Sequence, residues 1–512
     1  MQFKLLAGAA ALSLHTPLLL ADDSASLQKL IEQVQKLEAR SARQEAEINR
    51  LRTELSARPA SAPQTQQEPV SSPQTGSFDQ STQTPASIPA ADPATVSQSA
   101  TGPLDAPGLQ PLNLPGLGQT GTTTAATAFN PALSVILDGV YYHDDRQGGV
   151  SDRLAESLGF GAGTSEGHAH GGELKQGFNL RETELAFSAS VDPYLDALAI
   201  LAVGEEGLEV EEAYGRTRSL PWGLQLKFGR FFSDIGYMNR QHPHQWDFVD
   251  QALPYQLLFG GSLRETGLQL SWLPAWPFYA RFGVEALQGE NNGVASYLGP
   301  DEDHPAFSDK AGPRLFTAFA KFSPDLGYSH ALQAGVFGGR ALKHQEFQPG
   351  ATDDEALDGD SWFAGTDWVY KYDDPRAFGQ GDITLQGEYI YRRKDLRVVD
   401  STDLARLGLG HEAAQDGLYV QGVYGFAPRW TTGLRFDTAG LINQVNETGP
   451  GEQSLASIQR YTANLTWNPT EFSRLRLQYN IGRLPLDGSK ESFNQVYLQY
   501  QFSLGAHGAH AF

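Results

Sequence analysis

Histidine and acidic residues lie close together at several points of the sequence. His242 and His244 form a His-Pro-His triplet, and Asp247 and Asp250 follow within a few residues. Neutral imidazole and carboxylate groups together suit zinc or a similar divalent ion. The candidate metal ligands are His143, His168, His170, His242, His244, His507 and His510. For each pair the alternative is an ordinary histidine-containing surface loop, and His507 and His510 either form an exit site or cap the last strand.

Composition restricts the chemistry further. The 512 residues include no cysteine, so a metal site must be built from His, Asp and Glu. The formal net charge of -22 argues against nucleic acid as a partner and favours cations. The sequence has no phosphate-binding loop, so we predict no enzymatic activity and no cofactor other than bound zinc.

The elements that would position these residues are strands. In the last segment, large apolar side chains alternate with polar or small ones: Val496, Leu498, Tyr500, Phe502 and Leu504. Such alternation is typical of a strand with one face in lipid and the other in water. Taken alone, the segment fits a strand of a soluble β-sandwich equally well.

The rest of the chain decides between these interpretations. From Leu133 onward there are about sixteen alternating segments, joined by turns and loops that alternate between short and long. The long connections span residues 142–178, 233–264, 288–313, 340–360, 392–415 and 440–457, and we predict them to be outer loops. The predicted fold is an all-β transmembrane barrel of about 16 antiparallel strands (14–18), preceded by a short α-helical coiled coil.

One face of the predicted strands carries charged residues, which would be costly in lipid and must face a hydrated lumen. The predicted pore-lining residues are Glu182, Glu184, Glu209, Glu211, Lys227, Arg281, Glu285, Arg474 and Arg476. Such an arrangement of acidic and basic residues suits a pore for a polar or charged solute. Alternatively, these residues only form salt bridges within the barrel.

The region before the barrel has three predicted parts. Residues 1–21 resemble a secretory signal peptide, and residues 58–128 have the Pro/Ser/Thr/Gln-rich composition of a disordered linker before a barrel of residues 129–512. Residues 24–57 have a coiled-coil seam at Leu27, Leu30, Val34, Leu37, Ser41, Gln44, Ile48, Leu51 and Leu55. This seam predicts self-association as a homotrimer through the coiled coil and the barrel; a single solvated helix is the alternative.

Several stretches resemble a proteobacterial family usually labelled zinc-regulated, TonB-dependent outer membrane receptors. They are NPALSVILDGVYY, LRETELAFSASVD, VEEAYG, LKFGRFFSDIGYMNRQHPHQWDFVDQALPY and the ending GAHGAHAF. The resemblance implies an outer-membrane protein made under zinc limitation that admits zinc, with His242, His244, His507 and His510 at the matching motif positions. A TonB-driven receptor has a folded plug inside a barrel of about 22 strands. This chain departs from that pattern, because a predicted coiled coil and linker precede its barrel and the barrel is shorter.

These observations predict a channel in the bacterial outer membrane, surrounded by lipid, with its coiled coil in the periplasm. We expect it to take up a small solute, with zinc or another divalent ion favoured, and without TonB. The alternatives are a porin for an organic solute or a metal chelate, and a structural tether or adhesin that transports nothing.

Overall fold

The computed structural model describes residues 132–145, 159–160, 174–204, 207–301, 305–348, 354–448, 451–486 and 489–505. The predicted signal peptide, coiled coil and linker lie outside these residues. So do His168, His170, His507 and His510.

The described residues form seventeen strands and one short α-helix. The strands are β1 (Ala132–Asp144), β2 (Gly177–Ser190), β3 (Leu195–Gly204), β4 (Gly207–Thr217), β5 (Leu224–Phe232), β6 (Arg264–Trp272), β7 (Tyr279–Leu287), β8 (Leu315–Ser323), β9 (His330–Gln348), β10 (Glu355–Tyr372), β11 (Ile383–Ser401), β12 (Gly410–Ala427), β13 (Trp430–Glu447), β14 (Gly451–Ser454), β15 (Ile458–Thr470), β16 (Ser473–Leu486) and β17 (Ser489–Gly505). The helix is α1 (Leu253–Leu258), and single 3-10 turns lie at Pro221–Gly223, Pro243–Gln245, Ala377–Gly379 and Leu404–Arg406. None of the helices in the described residues is long and apolar enough to cross a membrane.

The strands close into a barrel. Successive strands pair antiparallel, and β1 pairs with both β2 and β17, which leaves no free edge. The short β14 pairs with the end of β13, and β13 continues its pairing with β15, so sixteen strands form the ring. The predicted antiparallel barrel of about 16 strands is therefore confirmed.

The two faces of the wall differ in polarity. On β17, Leu498, Phe502 and Leu504 are exposed on the outside. The residues between them that face inward, such as Gln499 and Gln501, are buried. This alternation puts an apolar surface on the outside and polar groups inside, as membrane barrels require.

The outer surface is rich in aromatic residues near the short turns. Trp222, Trp276 and Phe378 lie in these turns and are exposed, and Trp430 and Trp467 stack with ring centroids 5.7 Å apart where β13 and β15 pair. Aromatic belts of this kind mark the level of a membrane interface.

Three long connections were predicted with the wrong extent. Residues 340–360, 392–415 and 440–457 are mostly strand, because β9 continues to Gln348, β11 to Ser401 and β13 to Glu447. The outer portions of these strands contain many polar residues, so they lack the apolar alternation from which the strands were predicted. The strands continue there because the backbone hydrogen bonds between them do not depend on that alternation.

Candidate functional site

The connection between β5 and β6, residues 233–263, folds into the barrel; we call it the lumen insert. It joins the wall at the same end as the other long connections, as predicted, but it does not project outward, because most of its residues are buried. Ile235, Leu253 and Leu258 are fully buried in the main apolar cluster together with inward residues of the wall. Removing the apolar side chains of this segment from water is favourable, and the inner face of the barrel covers them.

Four arginines hold one side of the insert: Arg435 on β13, Arg460 on β15, and Arg474 and Arg476 on β16. We call them the arginine wall. Arg474 Nη1 donates to the carbonyl of His244 at 2.9 Å, and Arg476 Nη2 donates to that of Trp246 at 3.0 Å. These bonds fix the backbone of the insert within and directly after its 3-10 turn at Pro243–Gln245.

The other two arginines share the carboxylate of Asp250, a residue of the insert. Arg435 Nη2 and Arg460 Nη1 each lie 2.8 Å from one of its oxygens. Burial alone would raise the pKa of Asp250, but Arg460 and Arg435 lower it to about 2. Asp250 is therefore ionised at neutral pH and anchors the insert to the arginine wall.

A third attachment lies on β11. Glu388 accepts hydrogen bonds from the backbone N–H of Met238 at 2.8 Å and from the hydroxyl of Tyr255 at 2.7 Å. Gly236 has a positive φ of 59°, and a Cβ there would lie 2.3 Å from a Glu388 oxygen. Only glycine lets the insert approach the wall this closely.

Carboxylates concentrate at another part of the lumen, which we call the acidic wall: Asp138 on β1, Glu182 and Glu184 on β2, and Glu211 and Glu212 on β4. Two register irregularities produce this concentration. In the β1–β2 pair the register shifts after Asp138, and in the β3–β4 pair it shifts after Ile200. Because a bulge places two residues opposite one, Arg181 and Glu182 both point inward, as do Glu211 and Glu212.

The insert brings its His-Pro-His triplet against the acidic wall. His242 Nδ1 lies 3.1 Å from Glu211 Oε2 and 3.5 Å from Glu184 Oε2, and its Nε2 lies 3.1 Å from Glu212 Oε2. His244 Nδ1 lies 2.9 Å from Glu184 Oε2, and the two imidazole rings stack with centroids 5.7 Å apart. The two histidines and three carboxylates thus form one buried cluster.

This cluster has the geometry of a cation site. The donor atoms of Glu184, Glu211 and His242 all lie within 4.8 Å of one another, and His244 adds a further nitrogen beside Glu184. Burial alone would lower the pKa of His242, but the carboxylates of Glu184 and Glu211 raise it well above its ordinary value. The site therefore strongly favours positive charge at the position of that imidazole.

The other candidate ligand within the described residues lies elsewhere. His143 is exposed near the end of β1, and its Nδ1 lies 3.0 Å from the side-chain oxygen of Gln176.

The predicted pore-lining residues fall into three groups. Glu182, Glu184 and Glu211 belong to the acidic wall, whereas Glu209 is only half-buried and pairs with Arg264. Lys227, Arg281 and Glu285 surround the first residues of the insert: Arg281 Nη2 lies 2.8 Å from Asp234 Oδ2, Lys227 Nζ lies 3.8 Å from it, and Glu285 accepts from the Asp234 N–H at 3.1 Å. Arg474 and Arg476 bind the insert backbone, as described above.

Asp138, Arg181 and Glu212 also line the acidic-wall part of the lumen and were not among the predicted residues. Strict alternation assigns only one member of a neighbouring pair to the lumen, so it excludes Glu212 once Glu211 is assigned. The available signal was two adjacent charged residues in an otherwise alternating strand, at Arg181-Glu182 and at Glu211-Glu212. Strict alternation would place one charged residue of each pair in lipid, which is costly. A bulge avoids this cost by turning both residues inward.

A protein of Aquifex aeolicus (strain VF5), described as uncharacterized, is 36% identical to this chain over 398 residues, which cover 75% of this chain and 80% of the Aquifex protein. The chain belongs to that protein's family. No family model matches the sequence. Membership of the zinc-regulated receptor family therefore stays a prediction for this chain.

Solved structures of outer-membrane proteins align with the barrel. The outer membrane channel DcaP of Acinetobacter baumannii is 15% identical, with a TM-score of 0.46 over 75% of this chain and 100% of DcaP. OprB of Pseudomonas putida is 10% identical, with a TM-score of 0.43 over 73% of this chain and 94% of OprB. OmpT of Vibrio cholerae is 11% identical, with a TM-score of 0.42 over 73% of this chain and 97% of OmpT. The barrel assignment itself comes from the strand pairing of this chain.

Proposed function

We propose that this protein is a channel of the bacterial outer membrane that takes up a small solute, with zinc or another divalent metal ion as the favoured solute. The observation that carries the proposal is the meeting of His242 and His244 with Glu184 and Glu211 inside the lumen. Imidazole with carboxylate is the donor set that zinc uses when thiolates are absent.

The arrangement suggests how an ion would pass. The buried carboxylates of the acidic wall attract a cation into the lumen. The ion would displace the proton of His242 to solvent, and the neutral histidines would exchange their contacts with the carboxylates for contacts with the ion. Conduction requires a site that binds well enough to admit the ion and weakly enough to release it. Because the arginine wall fixes the backbone of the insert at this segment, only the side chains of His242 and His244 would have to move to exchange contacts.

The proposal also covers secretion, assembly and the energy source of transport. The sequence before residue 129 supports secretion, a periplasmic coiled coil and a homotrimer held together by the coiled coil and the barrel. We propose that transport does not depend on TonB, because a ring of sixteen strands is smaller than the ~22-stranded barrels that hold a plug. Loss of zinc uptake on deletion of TonB would contradict this part.

The ion assignment is tested on the purified full chain. Zinc binding is measured by calorimetry in detergent, and conductance is measured in planar bilayers with and without zinc. We expect zinc to bind and to block the current reversibly. The double variant His242→Ala/His244→Ala is expected to bind zinc about tenfold or more weakly and to lose the block, because both nitrogen donors are gone.

The matched control is His330→Ala, which removes an exposed histidine that lies 2.7 Å from the Tyr370 hydroxyl, on the β9–β10 pair. It is expected to behave like the wild type. Unchanged zinc affinity and block in the double variant would remove zinc as the assigned solute. Absence of any conductance would instead favour a tether.

A further inference from the structure

A second cavity lies beside the histidine–glutamate cluster, on the other side of Glu212. It has a volume of about 140 Å³ and lies between β4, β5, β6, β7 and the insert. Its charged lining residues are Arg216, Lys227, Arg240, Arg281, Glu212 and Asp234. The volume is far above the ~10–15 Å³ that admits one water, so it has room for a small organic molecule.

The charge of this cavity is opposite to that of the acidic wall. Four cationic side chains line it, against two carboxylates. One of these carboxylates, Glu212, accepts from the Phe232 N–H at 3.2 Å and contacts His242 at 3.1 Å, so its oxygens are already engaged. The lining therefore carries excess positive charge.

Asp234 does not neutralise the remaining cations. Arg281, Lys227, Lys321 and Arg240 all act on this single carboxylate. Although burial alone would raise its pKa, these cations hold the pKa of Asp234 well below its usual range. Outside the lining, Asp367 also acts on Arg240 and Lys321, and Glu285 acts on Arg281. Within the lining, the carboxylate that faces Lys227, Arg240 and Arg281 is Asp234, which leaves capacity for a second anion.

Unused donors supply that capacity. Arg281 is 3% exposed and uses Nη2 for Asp234 and Gln269, while its Nη1 has no hydrogen-bond partner among the described residues. The Nη1 of Arg240 is likewise unpartnered within the part of the chain that the structure describes. A buried guanidinium N–H without an acceptor costs free energy, and a planar oxyanion is the acceptor that guanidinium groups bind best.

We propose that this cavity binds a small oxyanion of the carboxylate class between Arg240 and Arg281. Lys227 adds charge to the site, with its Nζ lying 4.4 Å from the centroid of the Phe231 ring. The proposal goes beyond the metal site and does not require it. Because Glu212 borders both sites, the carboxylate arrives either as a free acid or as part of a metal complex whose ion lies at His242.

The test uses the full chain in detergent, freed of metal by passage over a chelating resin. Succinate and, separately, citrate are titrated by calorimetry, and the block of the current by each is measured in planar bilayers. We expect both to bind. Arg281→Gln and Arg240→Gln are each expected to weaken binding about tenfold, because each removes one charged donor.

The control is Arg314→Gln. Arg314 is equally buried at 3% exposure, but it donates to the Gly289 and Lys310 carbonyls, and it does not line this cavity. Arg240 is only half-buried, so its variant keeps the test decisive if the Arg281 variant fails to fold. The absence of succinate and citrate binding in the wild type, or unchanged affinity in both cavity variants, would overturn the proposal.

Adding zinc separates the two sources of the carboxylate. If citrate binds more tightly with zinc, and His242→Ala removes only this gain, the site receives a metal complex. If zinc has no effect on citrate affinity, the site receives the free acid. Either result supports the oxyanion site, and zinc binding without citrate tests the metal site separately.

Discussion

The acidic wall and the arginine wall are both charged and buried, but their charged groups contact different kinds of partner. Arg435 and Arg460 share Asp250 and Asp437, at 2.8–3.3 Å. On the acidic wall, four of the five carboxylates contact the two histidines or the guanidinium groups of Arg181 and Arg264. The arginine wall thus holds the insert in place, whereas the acidic wall keeps an excess of negative charge for a ligand.

The two walls also contact different parts of the insert. Arg474 and Arg476 bind backbone carbonyls, which any sequence at these positions would supply. The acidic wall contacts the side chains of His242 and His244, which are specific to the sequence. Anchoring through the backbone leaves the side chains of the same segment available for chemistry.

The largest expected effect comes from removing the segment that both walls hold. Replacing residues 234–262 with a short Gly-Ser linker should raise the single-channel conductance several-fold, because the insert fills much of the lumen. The same protein should lose the zinc block. Planar-bilayer recordings check both points, and an unchanged conductance would show that the conducting path avoids the insert.

Removing the shared anion of the arginine wall should strongly destabilise the protein. Asp250→Asn leaves Arg435 and Arg460 with Asp437 as their shared carboxylate, so we expect the free energy of unfolding to fall by roughly 3 kcal/mol. Urea titration of the protein refolded into lipid vesicles measures this. The control, Asp360→Asn, breaks an exposed pair with Arg340 and should cost less than about 1 kcal/mol; equal losses would contradict the role of Asp250.

The same residue predicts a dependence on pH. The folded protein lowers the pKa of Asp250 from 3.8 to about 2, so its stabilisation is fully present above the unfolded value and is lost as the pH falls from about 4 towards 2. The wild type should therefore lose stability over this interval relative to Asp250→Asn. Parallel unfolding curves for the two proteins between pH 4 and pH 2 would contradict the assignment.

A smaller effect is expected where the insert approaches β11. In Gly236→Ala the new methyl group would meet the Tyr255 hydroxyl and a Glu388 oxygen at 2.2–2.3 Å, so the insert must shift. We expect a loss of about 1–3 kcal/mol and a changed conductance. The control is Gly327→Ala, whose glycine also has a positive φ but has no atom within 4 Å of an added Cβ. If both variants behave alike, backbone strain rather than contact with Glu388 determines the effect.

Sequence alternation was sufficient to predict the barrel but not its interior. Each strand pair repeats the same two-residue period, so sixteen segments could be predicted from local pattern. The insert has no such period, and its burial depends on Arg474 and Asp437, which lie more than a hundred residues away in sequence. The candidate metal ligands His242 and His244 were proposed from spacing, but their acidic partners depend on two bulges that alternation cannot place.

The finest test of the comparison is a neutral substitution on the acidic wall. Glu182 is buried, its Oε1 has no hydrogen-bond partner among the described residues, and Glu211 and Glu184 repel it. Glu182→Gln should therefore leave the free energy of unfolding unchanged or raise it by about 0.5–1 kcal/mol. The matched control is Glu346→Gln, because Glu346 is equally buried but is paired with His344 and Lys394, and its loss should destabilise. If Glu182→Gln destabilises as much as Glu346→Gln, the acidic wall carries no excess charge, and the distinction between the two walls fails.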